Sequence, residues 1–339
     1  MNADYVQGTC EEMCPLSEMK HRLREKLVHF YEKDRQFVKE FARSAAGQKF
    51  QKPHELRTKE ALLRTVRYLL TDIFNDSRRA YHFKFDFIFD RLRCVRQEIV
   101  IQNLDIATTI QLLEPVIMFL AYSRYRLADE AFHNFDPKIC EQHLQECLKK
   151  ILVCYDDLPR SQLSDNRITI EALYLIFNLG RSEALLRGIS LPKIVKKYPL
   201  IKLALKISIN FWQNNHFSVL KQMKDLPPML LAVASLKINH IRRHLLLTFS
   251  VAYSSKQLSV PIEWLRRVLM YDEKDKTIDL IDHLKYYGIE YSNATQTVKF
   301  EKKFDMDKQQ ISASTHAFVE QKLNCDNFED YFLLNSESD

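Results

Sequence analysis

The sequence predicts a mainly α-helical protein of stacked antiparallel helical pairs, of the tetratricopeptide-like kind, capped near the C-terminus by a winged helix with a small β-hairpin. Glycine accounts for only 5 of 339 residues. Tight hairpins need glycine at positive φ, and helices are weakened by it. Apolar residues recur at intervals of three and four, as on one face of a helix. Two short β-like stretches flank Asn293-Ala294-Thr295, which indicates a hairpin.

The first predicted helix begins at Ser17, because serine commonly caps helices. Its basic residues, Arg22 among them, are expected on the solvent face. The apolar residues that continue it at roughly helical spacing are Leu23, Leu27, Phe30, Phe37 and Phe41. A loop is expected over residues 45–53 and a second helix over residues 55–75.

The segment Phe83–Asn103 carries the clearest helical pattern. Its apolar stripe consists of Phe85, Ile88, Leu92, Val95 and Ile99. A polar stripe on nearly the opposite side consists of Asp86, Asp90, Arg93 and Gln97. These polar residues either form a network with a neighbouring element or face solvent. Catalysis is disfavoured because no nucleophile or histidine shares their spacing.

Further amphipathic helices are predicted along the rest of the helical scaffold. Their approximate ranges are 105–127, 137–155, 166–188, 199–213 and 215–224. Pro115 predicts a kink or break in the first of them. Cys140, Cys147 and Cys154 recur every seven residues, and we interpret them as buried core thiols.

The pattern changes at Pro227-Pro228. One or two helices are expected over residues 229–253, then a β-like stretch over 258–260 and a helix from Pro261. Another helix is expected over 273–287, ending at Gly288. The hairpin over residues 289–300 completes the winged helix. The predicted domains are an N-terminal signature segment (1–16), a helical scaffold (17–227), a winged-helix unit (228–303) and an acidic flexible tail (304–339).

Charge is distributed unevenly along the chain. The net charge is +6, yet the residues from Phe304 onward include eight acids and two bases. A basic body with an acidic tail suggests a nucleic-acid or acidic-protein partner, and an ordinary solvated surface explains it equally well. The tail also holds an aromatic and leucine-rich cluster, which either docks on a partner or folds back in cis. That cluster is Phe328, Tyr331, Phe332, Leu333 and Leu334.

No sequence feature supports catalysis, a cofactor or a small-molecule substrate. The chain has no P-loop, GxGxxG, HExxH or GxSxG motif. Cys10 and Cys14, with His21 nearby, lack the second ligand pair of a structural zinc site, so we predict no metal. The chain shows no secretory signal and no uninterrupted apolar run of a membrane span. We therefore expect a non-enzymatic protein that is neither secreted nor inserted in a membrane.

A basic surface on the winged-helix unit is the candidate nucleic-acid interface. Its residues are Arg242, Arg243, Lys256, Arg266, Arg267, Lys299, Lys302 and Lys303. The would-be recognition helix contains Asp275, Asp279 and Asp282, which phosphates would repel. Contacts with RNA are thus expected to be non-specific. The acidic helix suits packing against another protein at least as well.

Two segments resemble signatures of the SAC-three/GANP family. The first is Gly8-Thr9-Cys10-Glu11-Glu12-Met13-Cys14-Pro15, and the second runs from Asp90 to Glu98 with Gln102. The family usually has aspartate where this chain has Glu98. We assign a structural role to these signature residues: Gly8, Cys10, Met13, Cys14, Pro15, Asp90, Arg91, Arg93, Arg96, Gln97 and Gln102. The resemblance covers about Gly8–Phe304, with looser matches later in the chain.

The resemblance implies a PCI-like module of stacked helical pairs capped by a winged helix. Large members scaffold the TREX-two messenger-RNA export complex, pair with a second PCI-domain protein and a small acidic subunit, and help to form an RNA-binding surface. The resemblance therefore implies a scaffold of this kind, in the nucleus or the cytoplasm. An alternative follows from the short SAC-homology-domain-containing members, which are linked to centrosome duplication and the spindle. Under that hypothesis the chain has no nucleic-acid role.

Overall fold

The computed structural model describes residues 5–43, 52–158, 165–255, 257–271, 279–323 and 328–332. The chain divides into two compact units. Residues 1–123, 130–163 and 327–339 form the first, and residues 124–129 and 164–326 form the second. The predicted domain boundaries at residues 16, 227 and 303 stay predictions.

The first helix is shorter than the sequence predicted. Helix α1 spans Leu16–Arg24, and its N-cap is Pro15 rather than Ser17. Lys26 has a φ of 58°, and the chain then forms a 3-10 turn at Phe30–Glu32 followed by irregular backbone to residue 43. The expected continuation as a helix past Phe37 is therefore wrong. The chain doubles back because Arg22 is buried rather than solvent-facing, and its acidic partners lie on the returning segment.

Four longer helices follow in the first unit. They are α2 (Lys59–Tyr68), α3 (Tyr81–Ile101), α4 (Ile106–Arg126) and α5 (Pro137–Asp157). Thr58 caps α2 by accepting the Ala61 N–H, and a π-helical turn at Leu69–Ile73 extends it. The predicted stripe of α3 is buried, and so are the three cysteines of α5, which confirms both predictions. The last residues of α4, 124–126, belong to the second unit.

Helix α4 continues through Pro115 without a break. Its neighbours Leu113, Val116 and Ile117 are buried, and their packing offsets the hydrogen bond that proline cannot make. The helix is long and apolar enough to cross a membrane, although 78% of its most apolar window is buried within the protein. Because a core helix meets the same criterion, α4 is weak evidence for a membrane span.

The second unit is built from helices packed in series. They are α6 (Asp165–Phe177), α7 (Ser182–Ser190), α8 (Lys193–Lys196), α9 (Pro199–Trp212), α10 (His216–Met223), α11 (Pro228–Ser235) and α12 (Ile238–Ala252). The single helix predicted over 166–188 is divided in two, because the chain turns at Gly180 with a φ of 87°. Helix α9 packs on α6 and α10, and α10 packs on α12.

A small antiparallel sheet lies at the end of this unit. Its strands are β1 (Val260–Pro261), β2 (Tyr291–Ser292) and β3 (Thr297–Val298), in the order β1-β3-β2. Helices α13 (Ile262–Val268) and α14 (Leu280–Tyr286) lie between β1 and β2 in the chain. The hairpin is confirmed. The expected start of the second helix, at residue 273, lies outside the described residues.

The described part of the C-terminal region contains two short helices. Helices α15 (Ala317–Leu323) and α16 (Phe328–Tyr331) form there. In the second unit, Arg126 pairs with Glu320 at 2.6 Å. In the first unit, Phe332 is fully buried, with its ring 4.8 Å from that of Phe74. The flexibility expected from residue 304 onward stays a prediction: residues 304–316 form no helix or strand, whereas Val319, Leu323 and Phe332 are buried. Leu333 and Leu334 lie outside the described residues.

Three histidines meet in the second unit. The ring centroids of His240 and His244 are 4.4 Å apart, and those of His216 and His244 are 5.1 Å apart. Among the described residues, neither ring nitrogen of buried His216 has a hydrogen-bond partner. Burial, reinforced by the two neighbouring imidazoles, lowers the pKa of His216 to about 4. This histidine is consequently neutral in the folded protein at neutral pH.

We predict that Phe332→Ala lowers the free energy of unfolding by about 3 kcal/mol, because it leaves a cavity among buried rings. Urea unfolding measures the loss. The matched control is Phe132→Ala, because Phe132 is 73% exposed and its truncation should change stability by less than about 0.5 kcal/mol. Equal losses in the two variants would contradict the docked position of Phe332.

Stability should fall as the pH is lowered from about 6.5 toward 4. Unfolded His216 takes up a proton near the ordinary histidine pKa of about 6.5, whereas the folded residue resists protonation until about pH 4. The unfolded state therefore binds more protons in this window, and stability decreases with acidity. His216→Leu should reduce this pH dependence in urea titrations at pH 7 and 4.5. An unchanged dependence would sink the assignment.

Candidate functional site

The N-terminal signature segment pairs with the chain that precedes α2. Cys10 and Arg57 form a parallel β-bridge. The Cys10 N–H donates to the Leu56 carbonyl at 2.9 Å, and the Thr58 N–H donates to the Cys10 carbonyl at 2.8 Å. This short ladder holds the first signature against the start of α2, although the two are far apart in sequence.

Gly8 and Gln102 lock the two signatures together. The Gly8 N–H donates to the side-chain oxygen of Gln102 at 2.8 Å, and the Gln102 amide donates to the Arg57 carbonyl at 3.0 Å. A β-carbon at position 8 would lie 2.3 Å from the Arg57 carbonyl oxygen. Only glycine therefore permits this approach.

One buried charge cluster surrounds Glu98. Arg57 Nη2 lies 3.1 Å and Lys39 Nζ lies 2.9 Å from the Glu98 carboxylate, and all three side chains are buried. Burial alone would raise the pKa of Glu98, but Arg57 and Lys39 outweigh that effect and hold it below its ordinary value. Glu98 therefore remains ionised inside the core.

A second cluster joins α1, the returning segment and α3. Arg22 lies 2.8 Å from both Glu32 and Glu40, and Arg91 lies 2.9 Å from Glu40. Arg91 also approaches Glu32 at 3.5 Å. Glu32 accepts the Val38 N–H at 3.0 Å, so the cluster also fixes the backbone of the returning segment. Asp90 also pairs with Arg91 at 2.6 Å, and Glu18 approaches Arg22 at 3.7 Å.

The polar stripe of α3 forms a network rather than a bare solvated face. Asp90 accepts the Phe41 N–H at 3.2 Å, and Gln97 donates to the Ala42 carbonyl at 2.9 Å. The Arg93 guanidinium lies 3.9 Å from the centre of the Phe41 ring. Arg96 instead pairs with Glu146 of α5 at 3.0 Å. Of the two interpretations of this stripe, the structure supports the network.

The side chains of Cys10, Cys14 and His21, which were considered for a metal site, do not come together as ligands. Cys14 Sγ lies 3.6 Å from Arg22 Nη2, and burial raises the pKa of the Cys14 thiol to about 12. Cys10 Sγ donates to the Glu12 carbonyl at 3.4 Å, and His21 is exposed. Within the described ranges, no group of three or more His, Cys, Asp or Glu side chains could hold a metal ion.

The predicted basic surface is smaller than expected. Arg242 is buried, donates to the Leu269 carbonyl at 2.9 Å and stacks 3.6 Å from the centre of the Tyr271 ring. The expectation that Arg242 contacts nucleic acid is therefore corrected: its hydrogen-bonding groups are used inside the fold. Half-buried Arg243 donates to the Met306 carbonyl at 3.3 Å, and Arg266 pairs with Asp279 at 2.6 Å.

The remaining candidates differ in exposure and pairing. Arg267, Lys299 and Lys302 are exposed. Lys303 is also exposed and lies 2.8 Å from Glu301. Lys256 lies outside the described residues. Three of the eight candidates thus remain as exposed cations for which the described residues offer no acidic partner.

The SAC3/GANP family model matches residues 13–293. This chain belongs to the SAC3/GANP family. It is 25% identical over 315 residues to Protein xmas of Drosophila melanogaster, covering 86% of this chain and 15% of that protein. It is 23% identical over 316 residues to SAC3 family protein 1 of Schizosaccharomyces pombe, covering 84% and 30%. The chain spans less than a third of the length of these curated relatives.

The SAC3/GANP signatures thus form the structural centre of the first unit. Members of this family are scaffold proteins linked to messenger-RNA export. Here Arg91 forms buried ion pairs, and Asp90, Gln97 and Gln102 bind backbone.

Sequence reasoning missed the partners of the signatures. Lys39, Arg57, Glu32 and Glu40 lie outside both signatures, and only the fold brings them to Glu98, Arg22 and Arg91. In the sequence these partners are marked only by charged residues that stand beside apolar ones, as in Val38-Lys39-Glu40-Phe41. That signal does not distinguish a buried ion pair from a solvated face.

We predict that Glu98→Ala lowers the free energy of unfolding by about 3–5 kcal/mol, because it leaves Arg57 and Lys39 buried without their carboxylate. Urea unfolding of the purified chain measures this loss. Glu146→Ala is the matched control: it breaks an ion pair whose carboxylate is 48% exposed, and should cost less than about 1 kcal/mol. Similar small losses in both variants would contradict a structural role for the Glu98 cluster.

Proposed function

We propose that this chain is a non-enzymatic PCI-type scaffold in messenger-RNA export, resembling the core of TREX-two. The observation that carries the proposal is the SAC3/GANP match over residues 13–293. The geometry supports it, because the signature residues bind one another inside the fold. A rigid helical body with its charges paired internally suits protein–protein assembly.

The second unit supplies the proposed pairing surface. Its helix–helix–wing order, from α13 through β3, fits the winged helix that the sequence predicted. Leu265, Leu269, Leu280 and Leu284 are fully buried, so they form the core of this unit. Pairing with a second PCI-domain protein must therefore use the exposed faces around them. We include a small acidic subunit among the proposed partners.

Weak, non-specific RNA binding is the second part of the proposal. Arg267, Lys299 and Lys302 are exposed and positively charged. Neutralising three phosphates of a single strand gives a slope of log K against log salt of roughly −2. The buried Arg242 and the paired Arg266 add little to this footprint.

The small number of exposed cations favours an alternative function. Under this alternative the chain acts in centrosome duplication, spindle assembly and mitotic progression and has no nucleic-acid role. The observation behind this alternative is that Arg242 is buried and Arg266 is paired with Asp279. An export scaffold would be found in the nucleus or the cytoplasm, whereas the alternative function predicts a protein at the centrosome or the spindle.

The RNA proposal is tested by fluorescence anisotropy with a labelled 15-nucleotide poly-U between 25 and 200 mM salt. We expect a slope of roughly −2, reduced in magnitude by roughly 1.4 in Lys299→Glu with Lys302→Glu, because two phosphate contacts are lost. The matched control reverses exposed Lys149 and Lys150 of α5. A flat slope, or no binding at 25 mM salt, favours the centrosomal alternative.

Pairing is tested by purifying the tagged full chain from cells at moderate salt and identifying the proteins that accompany it. We expect a second PCI-domain protein in stoichiometric amount. Its absence would remove the pairing proposal. Imaging of the endogenously tagged chain separates the two functions, because a signal confined to centrosomes and spindle supports only the rival.

A further inference from the structure

A cleft of about 350 Å³ lies in the second unit between α10 and α13. The side chains from α10 and its C-cap are Phe217, Leu220, Lys221 and Lys224, and those from α13 are Trp264, Arg267 and Val268. On each helix these positions are three and four residues apart, so they share one face. The cleft is therefore formed by two facing helical stripes.

The walls of the cleft are apolar. Phe217 is 48% exposed, an exposure that water disfavours for a phenyl ring. Trp264 is half-buried and held by Phe249 and Tyr253, whose ring centroids lie 5.8 Å and 6.3 Å from its own. These two ring contacts hold Trp264 in place in the wall of the cleft.

The rim of the cleft is cationic. Lys221, Lys224 and Arg267 are exposed, and no carboxylate lines the cleft. Throughout the described ranges, no acidic side chain forms an ion pair with any of these three cations. This differs from the first unit, where Arg22, Arg57 and Arg91 all have carboxylate partners.

We propose that this cleft binds an acidic peptide segment of a partner protein, which inserts one leucine or aromatic side chain between Phe217 and Trp264. Carboxylates on either side of that anchor pair with the three rim cations. Charge complementarity argues for an acidic ligand, and the aliphatic walls provided by Leu220 and Val268 favour an apolar side chain over a polar base. An RNA strand would need an extended groove with free stacking faces.

The proposal does not depend on pairing with a PCI-domain protein or on the RNA footprint. The RNA footprint shares Arg267 with the cleft, but Lys299 and Lys302 do not line it. Variants at Lys299 and Lys302 therefore test the RNA footprint alone, and Phe217→Ala tests the cleft alone. Failure of peptide binding would leave both standing, and their failure would leave the cleft proposal standing. A small interface of this kind predicts a weak complex.

The test uses the folded full chain and three fluorescent probes. The first is a twelve-residue peptide with one leucine flanked by glutamates and aspartates, the second is the same peptide with alanine replacing leucine, and the third is the poly-U 15-mer. We expect a Kd on the order of 10–100 μM for the leucine peptide. The alanine peptide should bind at least about fivefold more weakly, because it lacks the buried anchor.

Two variants locate the binding. Lys221→Glu with Arg267→Glu should weaken the leucine peptide at least about tenfold, because it converts attraction into repulsion. Phe217→Ala should weaken it about fivefold and leave binding of the alanine peptide nearly unchanged. The matched control, Lys202→Glu with Lys206→Glu, reverses two exposed lysines of α9 outside the cleft and should change affinity less than about twofold. Thermal melts verify that each variant folds.

Three results would overturn the proposal. Equal binding of the leucine and alanine peptides would mean that charge alone acts. An equal loss in the α9 control would mean that attraction is spread over the whole surface. Tighter binding of poly-U than of the peptide, abolished by the Lys221 and Arg267 changes but not by those at Lys299 and Lys302, would make the cleft a nucleic-acid site.

Discussion

The first unit depends on cancelling charge inside its own core. Removing a carboxylate or a guanidinium from water costs several kcal/mol, so each buried ion requires a close partner. Arg57, Lys39 and Glu98 meet this requirement together, and the excess positive charge is eased by the Glu55 carbonyl, which accepts a hydrogen bond from Lys39. Arg22 and Arg91 meet it with Glu32 and Glu40. The path of residues 25–43 follows from this pairing.

This constraint also explains what the family signatures do in this chain. Gly8 allows the N-terminal segment to lie against Arg57, and Gln102 at the C-terminal end of α3 holds both. The signatures therefore fix the relative positions of α1, α2 and α3. Because these residues are used internally, the partner surfaces that we propose lie elsewhere, among exposed cations and apolar side chains of the second unit.

The sequence predicted most of the helices, because each needs only a local apolar stripe. Helix α3 was expected over 83–103 and occupies Tyr81–Ile101, and α9 was expected over 199–213 and occupies Pro199–Trp212. The first helix was predicted wrongly. Leu23 and Leu27 keep helical spacing, yet both are exposed, whereas Arg22, between His21 and Leu23, is buried. Apolar periodicity shows which residues could be buried, but contacts with residues distant in the sequence determine which of them are buried.

The sequence by itself determined the helical class, the apolar faces of α3 and α5 and the position of the hairpin, since these depend on residues close together in the chain. Only the tertiary structure decided which charges are neutralised in the core. It also decided that Arg242 turns inward and that Phe332 docks on the first unit. Each of these outcomes depends on groups tens to hundreds of residues apart, whose proximity arises from folding and has no local pattern.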